Sequence, residues 1–236
     1  ERIPLYYTYI QKLIDKNAAY ICTCNPETFK TLLAKKQACP CRALPKKEQN
    51  KRWKHMQTTY QPGQAVLRFK ADLKDKNPAF RDFPLARINT TPHPFQKTTY
   101  RVWPLMNLAV TVDDIEQGMT HIIRGKDHKD NAKRQHMIYK VLSKAKHYPW
   151  IAFIGRVHFT DLELSATKMR EAIQNKTYKG WNDPKLPTLA SLKKQGYTPE
   201  AFYAFAEERG ISESDKTISK KDFFEVLNTF QEKTKN

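Results

Sequence analysis

Four cysteines within twenty residues constrain this chain more than any other feature. They stand as Cys22-Thr23-Cys24 and Cys39-Pro40-Cys41, with fourteen residues between the pairs. Two close thiol pairs on a short loop can offer four sulfur ligands to one Zn²⁺, filling the tetrahedral shell as in a structural rather than a catalytic site. One intervening residue per pair is less common than two. Two disulfides are the rival arrangement, and four unrelated buried thiols are the plain one. Disulfides belong to oxidising compartments, whereas the start Glu1-Arg2-Ile3-Pro4-Leu5-Tyr6-Tyr7 has no basic n-region and no small-residue cleavage site. The expectation is a zinc unit on Cys22, Cys24, Cys39 and Cys41 in a cytosolic protein. The chain opens without Met on what reads as mid-helix sequence, so residues are expected upstream.

A polyanionic partner follows from charge. Forty-two Lys and Arg face 24 Asp and Glu, a net charge of +18 over 236 residues. Such a surface favours nucleic acid. An anionic membrane is the rival, but no long basic amphipathic helix lies in the sequence, and no apolar run reaches the roughly 18 residues of a span. The length allows one large domain or two smaller ones.

Apolar spacing places the elements. Tyr6, Tyr9, Ile10, Leu13 and Ile14 give one face of a helix running from Tyr6 to Tyr20. Pro26-Glu27 with Phe29, Leu32 and Leu33 predicts a short helix between the cysteine pairs. Lys46 to Lys54 reads as an exposed helix. Residues 65–70, 85–89 and 99–103 read as strands, with Thr91-Pro92-His93-Pro94 as a turn. Leu108 to Val112, Thr120 to Ile123 and Trp150 to Ile154 read as buried strands around a helix from Asp130 to Leu142. That alternation predicts a parallel sheet and an α/β class. Helices follow from Thr167, with Gly196 and Gly210 as stops, and Thr217 to Asp222 opens the last one.

One polar segment gains meaning from its place. Leu164-Ser165-Ala166-Thr167-Lys168-Met169-Arg170, read alone, is a loop with one surface lysine that could stabilise charge on phosphates. It follows a predicted buried strand and Gly155-Arg156-Val157-His158-Phe159, and ligands of parallel sheets bind beyond strand ends. This order resembles the second half of the class I aminoacyl-tRNA synthetase nucleotide fold. There an Arg-Leu pair leads into a signature lysine loop.

The resemblance runs along nearly the whole chain. Gln64 to Asp72, Asn77 to Asp82 and Tyr100-Arg101-Val102-Trp103-Pro104 are similar to the acceptor-arm insertion and return strand of archaeal-type glutamyl-tRNA synthetases. So are Val112-Asp113-Asp114, Gly118 to His128 and Gly180-Trp181-Asn182-Asp183-Pro184. The resemblance implies a Rossmann-like half-fold with an inserted α+β zinc-containing acceptor-arm domain at 1–98. The second half of the catalytic fold would occupy 99–170, and a helical segment 171–236 would lead towards anticodon-binding barrels. It implies ATP with Mg²⁺, glutamate and the tRNA acceptor arm as partners, and glutamyl-adenylate formation followed by transfer to tRNA. Lys168 would be catalytic. Arg156, Val157, Ser165 and Lys168 would meet ATP, and Arg124 the glutamate side chain, where glutaminyl relatives typically carry cysteine. A guanidinium pairs with a carboxylate and has no acceptor for an amide. The rival for Arg124 is a salt bridge to Asp113 or Asp114.

The pattern also departs from the family. No His-x-Gly-His signature of the first half occurs, so the piece alone is expected to be inactive, and a non-catalytic tRNA-binding module is an alternative. Met106 stands where the family usually has tyrosine. His121 is expected in the core and His128 beside the site.

Overall fold

The computed structural model describes residues 2–142 and 148–233. Its first helix, α1 (Ile3–Asp15), buries the predicted face of Tyr6, Tyr9, Ile10, Leu13 and Ile14. It stops five residues short of the expected end. Asn17 takes a φ of 56°, and the N–H groups of Asn17 and Ala18 return to the carbonyls of Ile14 and Leu13. This is a left-handed cap, which asparagine tolerates. The chain then enters β1 (Ala19–Cys22), a buried strand that the helical reading hid.

Strand β1 begins a four-stranded antiparallel sheet in the order β1, β2 (Val66–Phe69), β3 (Pro84–Ile88), β4 (Val102–Pro104). Alternation along β1 divides its labour. Ala19 and Ile21 join the main core with α1, Leu67, Phe69 and Leu85. Tyr20 and Cys22 face a second cluster with Phe29, Cys39 and Cys41. Helix α2 (Pro26–Ala34) spans the loop between the cysteine pairs, as predicted. Helix α3 (Lys46–Thr58) is not wholly exposed, because Gln49, Trp53 and Met56 turn one stripe inward.

The predicted buried strand at 108–112 is helix α4 (Met106–Glu116). The β-branched run Val110-Thr111-Val112 suggested a strand. The buried positions Leu108, Thr111 and Val112 instead follow the helical spacing. Tyr6 and Arg2 both engage the Asp113 carboxylate, and Tyr9 engages Glu116, joining α1 to α4. Helix α5 (Lys129–Val141) packs beside α4. Arg134 Nε donates to the carbonyl of Ala79 at 2.7 Å.

Strands β5 (His121–Gly125) and β6 (Trp150–Ile154) pair with each other. They are less buried than expected, with Ile123 and Trp150 exposed. Parallel pairing is found between β7 (Val157–Phe159) and β8 (Lys216–Ile218). The parallel sheet expected from 108–112, 120–123 and 150–154 therefore loses its first member to α4, while the mixed α/β character stands.

The chain divides into two compact units, 1–123 with 127–152 and 124–126 with 153–236. In the second, α6 (Ala166–Gln174), α7 (Leu189–Lys194), α8 (Pro199–Arg209) and α9 (Lys220–Lys233) follow β7. Phe223 meets Phe159 and Phe205 edge-on, each at 5.2 Å. The Ser219 hydroxyl accepts from Asp222 N–H and caps α9. No described helix is long and apolar enough to cross a membrane.

Candidate functional site

The four cysteines converge. Cys22 Sγ lies 3.8 Å from Cys39 Sγ, Cys24 Sγ lies 3.7 Å from Cys41 Sγ, and all four sulfurs fall within 4.8 Å of one another. These are free thiols rather than disulfides. Sulfurs at 2.3 Å from a central zinc stand about 3.8 Å apart at the corners of a tetrahedron, so the donor set fits that ion in number, chemistry and spacing. The thiols share protons unequally. Contact with Cys22 lowers the Cys39 pKa, whereas the same contact and burial push Cys22 up. Against the upward pull of burial, Cys41 is held low by Thr23 and Arg52.

Buried polar groups brace the cluster. Tyr20 O–H donates to Asp82 Oδ2 at 2.9 Å, and the Cys39 thiol reaches Tyr20 Oη. Asp82 is almost wholly buried and also receives Arg42 Nε at 2.9 Å and Ala71 N–H at 2.8 Å. Gln49 accepts from Ile21 N–H and donates to the Cys41 carbonyl, each at 2.8 Å. One side chain thus spans β1 and the second cysteine pair.

Of the other predicted residues, Arg156 and Val157 lie in the second unit beside Asp215. Its Oδ1 accepts the backbone N–H of Arg156 at 2.7 Å, and its Oδ2 lies 2.6 Å from Lys126 Nζ. Lys126 first, and then the Arg156 N–H, hold this carboxylate below its usual range. Lys126 is two residues beyond the half-buried Arg124 on β5. Arg156 carbonyl accepts from Lys216 N–H, and Val157 pairs with Lys216 across β7 and β8. Arg209 Nη2 donates to the Gly155 carbonyl at 2.7 Å. Asp215 and Arg209 were not singled out by sequence reasoning. Asp215 lies in a polar loop with no periodic signal, and only the turn of the chain brings it to Arg156.

Ser165 and Lys168 form a separate group. Ser165 is the N-cap of α6, its hydroxyl accepting from Lys168 N–H at 3.3 Å. Lys168 Nζ rests on Glu163 at 2.5 Å, which raises its pKa. Together with Leu162, Tyr178 and Pro187 these residues border a groove of about 310 Å³. Arg124 and Arg156 do not line it.

Asp113, a suggested partner for Arg124, is occupied by Arg2 and Tyr6. His121 is exposed rather than in the core, with its ring 5.7 Å from Trp150. His128 is half-buried, and its Nδ1 is 3.2 Å from the Asn131 amide.

Residues 1–231 match the family described as tRNA synthetases class I (E and Q), catalytic domain. The chain belongs to this family. Among relatives of this class I catalytic domain, the glutamate–tRNA ligase of Methanosphaera stadtmanae is 40% identical over 240 residues, covering 100% of this chain and 41% of that protein. The glutamate–tRNA ligase of Thermococcus kodakarensis is 43% identical over 221 residues, covering 93% of this chain and 38% of that protein. The chain thus spans about two fifths of the length of the curated relatives it matches. The crystal structure of a glutamate-tRNA synthetase from Elizabethkingia anophelis superposes with a TM-score of 0.52 at 18% identity, covering 98% of this chain and 53% of that one. That likeness is one of fold.

Proposed function

We propose that this class I catalytic-domain segment serves glutamate–tRNA ligation. The supporting observation is the Asp215 carboxylate, which ties the segment carrying Arg124 to the backbone of Arg156 within one unit. That arrangement suits an enzyme that must hold an amino acid beside a nucleotide, since joining them is chiefly positioning and electrostatics. A glutamate carboxylate oxygen attacks the α-phosphorus of ATP. The bond to the β-phosphate breaks, and pyrophosphate leaves. A terminal ribose hydroxyl of tRNA then attacks the acyl carbon, its proton is lost, and AMP leaves.

In this reading Arg124 holds the substrate side-chain carboxylate, and the Arg156-Val157 backbone frames adenine. Lys168, presented by the Ser165 cap, stabilises phosphate charge, and Mg²⁺ arrives with the phosphates. Residues 1–98 grip the acceptor arm through shape and phosphate contacts. Exposed Lys46, Lys47, Lys51 and Lys54 on α3 supply part of the charge. Cys22, Cys24, Cys39 and Cys41 would hold a structural Zn²⁺ that ties β1 to the second cysteine turn. Residues 99–170 form the second half of the nucleotide fold, and 171–236 lead on from it. The setting is cytoplasmic.

Pyrophosphate exchange into ATP tests the reading. The chain is completed with the parts of the Methanosphaera stadtmanae relative that it does not cover. Glutamate should drive exchange and glutamine should not. Exchange driven by glutamine would favour the glutaminyl alternative. No exchange with either, alongside retained tRNA binding, would favour a non-catalytic tRNA-binding module.

A further inference from the structure

Four thiolates around a Zn²⁺ ion carry a net charge of −2, and a buried charge of that size needs compensation close by. The side chain best placed to supply it is Arg52 of α3. Its Nη1 lies 3.2 Å from Cys41 Sγ and 3.1 Å from Thr23 Oγ1, while its Nε holds Glu48 at 3.0 Å. The guanidinium is therefore fixed at three points and largely shielded from solvent, with 18% of the side chain exposed. Thr23 N–H also faces Cys41 Sγ, at 3.5 Å. Gln49, three residues before Arg52 on the same helix, binds the Cys41 carbonyl. Helix α3 thus grips the second cysteine turn by both its backbone and its sulfur. A second cation is close: Arg68 sits on β2 opposite Tyr20, its guanidinium 3.5 Å from the Phe29 ring centre, and its charge bears on Cys22.

We infer that Arg52 is a positioning residue for the metal, donating to the Cys41 sulfur so that the four-sulfur shell binds zinc tightly and remains inert. The inference rests on the zinc reading of the cysteine cluster. Groups that hydrogen-bond to metal ligands typically alter affinity by about 10- to 100-fold. A guanidinium N–H aimed at sulfur withdraws electron density from it. Losing that donor raises the energy of the sulfur electrons, which shifts the charge-transfer band, and leaves the −2 shell without its nearest counter-charge, which weakens metal binding.

The test uses the 236-residue chain loaded with Co²⁺, whose sulfur-to-metal charge-transfer band reports the state of the sulfurs. Arg52→Met keeps most of the stem and removes charge and donor. Arg52→Lys keeps the charge without the planar fork. The wild-type chain should take one metal per molecule. R52M should bind Co²⁺ and Zn²⁺ about 10- to 100-fold more weakly, with the band shifted to lower energy, and R52K should fall between. A merely structural arginine would leave the band in place, so unshifted bands in both variants with wild-type affinity overturn the inference. Should R52M fail to fold, as judged by circular dichroism, the R52K band and affinity decide the matter alone. Failure of the reduced wild-type chain to bind any metal would instead remove the zinc reading itself, a result distinct from an unchanged R52M.

Discussion

Asp215 Oδ1 accepts the backbone N–H of Arg156 at 2.7 Å, and this contact reaches across 59 residues of sequence to fix the entry to β7. The same carboxylate holds Lys126. Asp215→Ala should therefore loosen both segments together. In the completed ligase kcat/KM for ATP should fall by up to about 100-fold, the scale of ångström misplacement. Asp215→Asn keeps an acceptor for Arg156 and should lose less. The pH sign also follows. Lys126 and then Arg156 depress the Asp215 pKa. The stabilisation is thus complete above the ordinary aspartate value of about 3.9 and is lost as pH falls through the lower folded value. The Arg156 amide resonance should titrate with a midpoint below about 3.9. A midpoint at or above it would mean that the contact does not persist in solution.

Gly155 should tolerate no side chain. A Cβ there would stand 2.2 Å from the Ser214 carbonyl oxygen and 2.7 Å from that of Glu213. Both are backbone atoms and cannot swing aside. Gly155→Ala must push the 212–216 segment away, breaking the Gly155 to Ser212 hydrogen bond and straining the β7–β8 pairing. Overpacking of this kind costs about 1–3 kcal/mol. Thermal unfolding should show the loss, and amide exchange at Lys216 should speed up. Exchange at wild-type rates would show that the close approach is relieved some other way.

Local spacing made much of this fold legible, and the misses have physical causes. The α1 face, α2 and the cysteine convergence could be read because each depends on residues close in sequence. Strand β1 was missed because Asn17 ends the helix through a backbone conformation that leaves little trace in apolar periodicity. Helix α4 was misread because Val110, Thr111 and Val112 favour strands locally, while packing against α1 and α5 decides the outcome. Within the candidate site, Ser165 and Lys168 lie together because one helix cap holds both. The Arg156 anchor could not be read, since Asp215 is brought to it by folding alone.

Substitutions along α4 can separate the helix from the strand once expected there. A strand would place Leu108, Val110 and Val112 on one face. In the helix Leu108 and Val112 are fully buried, whereas Val110 is only half-buried. Leu108→Ala should cost about 3 kcal/mol in chemical denaturation, and Val110→Ala less than about 1 kcal/mol. Comparable losses at 108 and 110 would contradict the helical packing.

Lys168 should act in the chemical step more than in folding. It is exposed and its partner Glu163 is on the surface, so Lys168→Ala should leave the unfolding midpoint nearly unchanged. Removing a charge that stabilises the transition state typically lowers kcat by about 10²- to 10³-fold. A K168A enzyme with kcat intact and KM for ATP raised would assign the lysine to ground-state binding instead.

Arg124→Gln tests the choice of amino acid. Arg124 is half-buried near the end of β5, and Lys126 beyond it is held by Asp215, so the backbone that presents the guanidinium is anchored. Glutamine is shorter and uncharged, and its amide cannot make the paired, charge-assisted contacts of a guanidinium with a carboxylate. A substrate carboxylate facing it would lose its counter-charge in a site of reduced dielectric, where an unpaired charge is costly. Glutamate-dependent exchange in the completed ligase should fall by about 10³-fold or more, on the scale by which a polar site rejects a mismatched ligand. The loss should appear in kcat/KM for glutamate, with KM for ATP nearly constant. If ATP and glutamate parameters worsen together while the unfolding midpoint drops, Arg124 serves the fold of its unit rather than the recognition of glutamate.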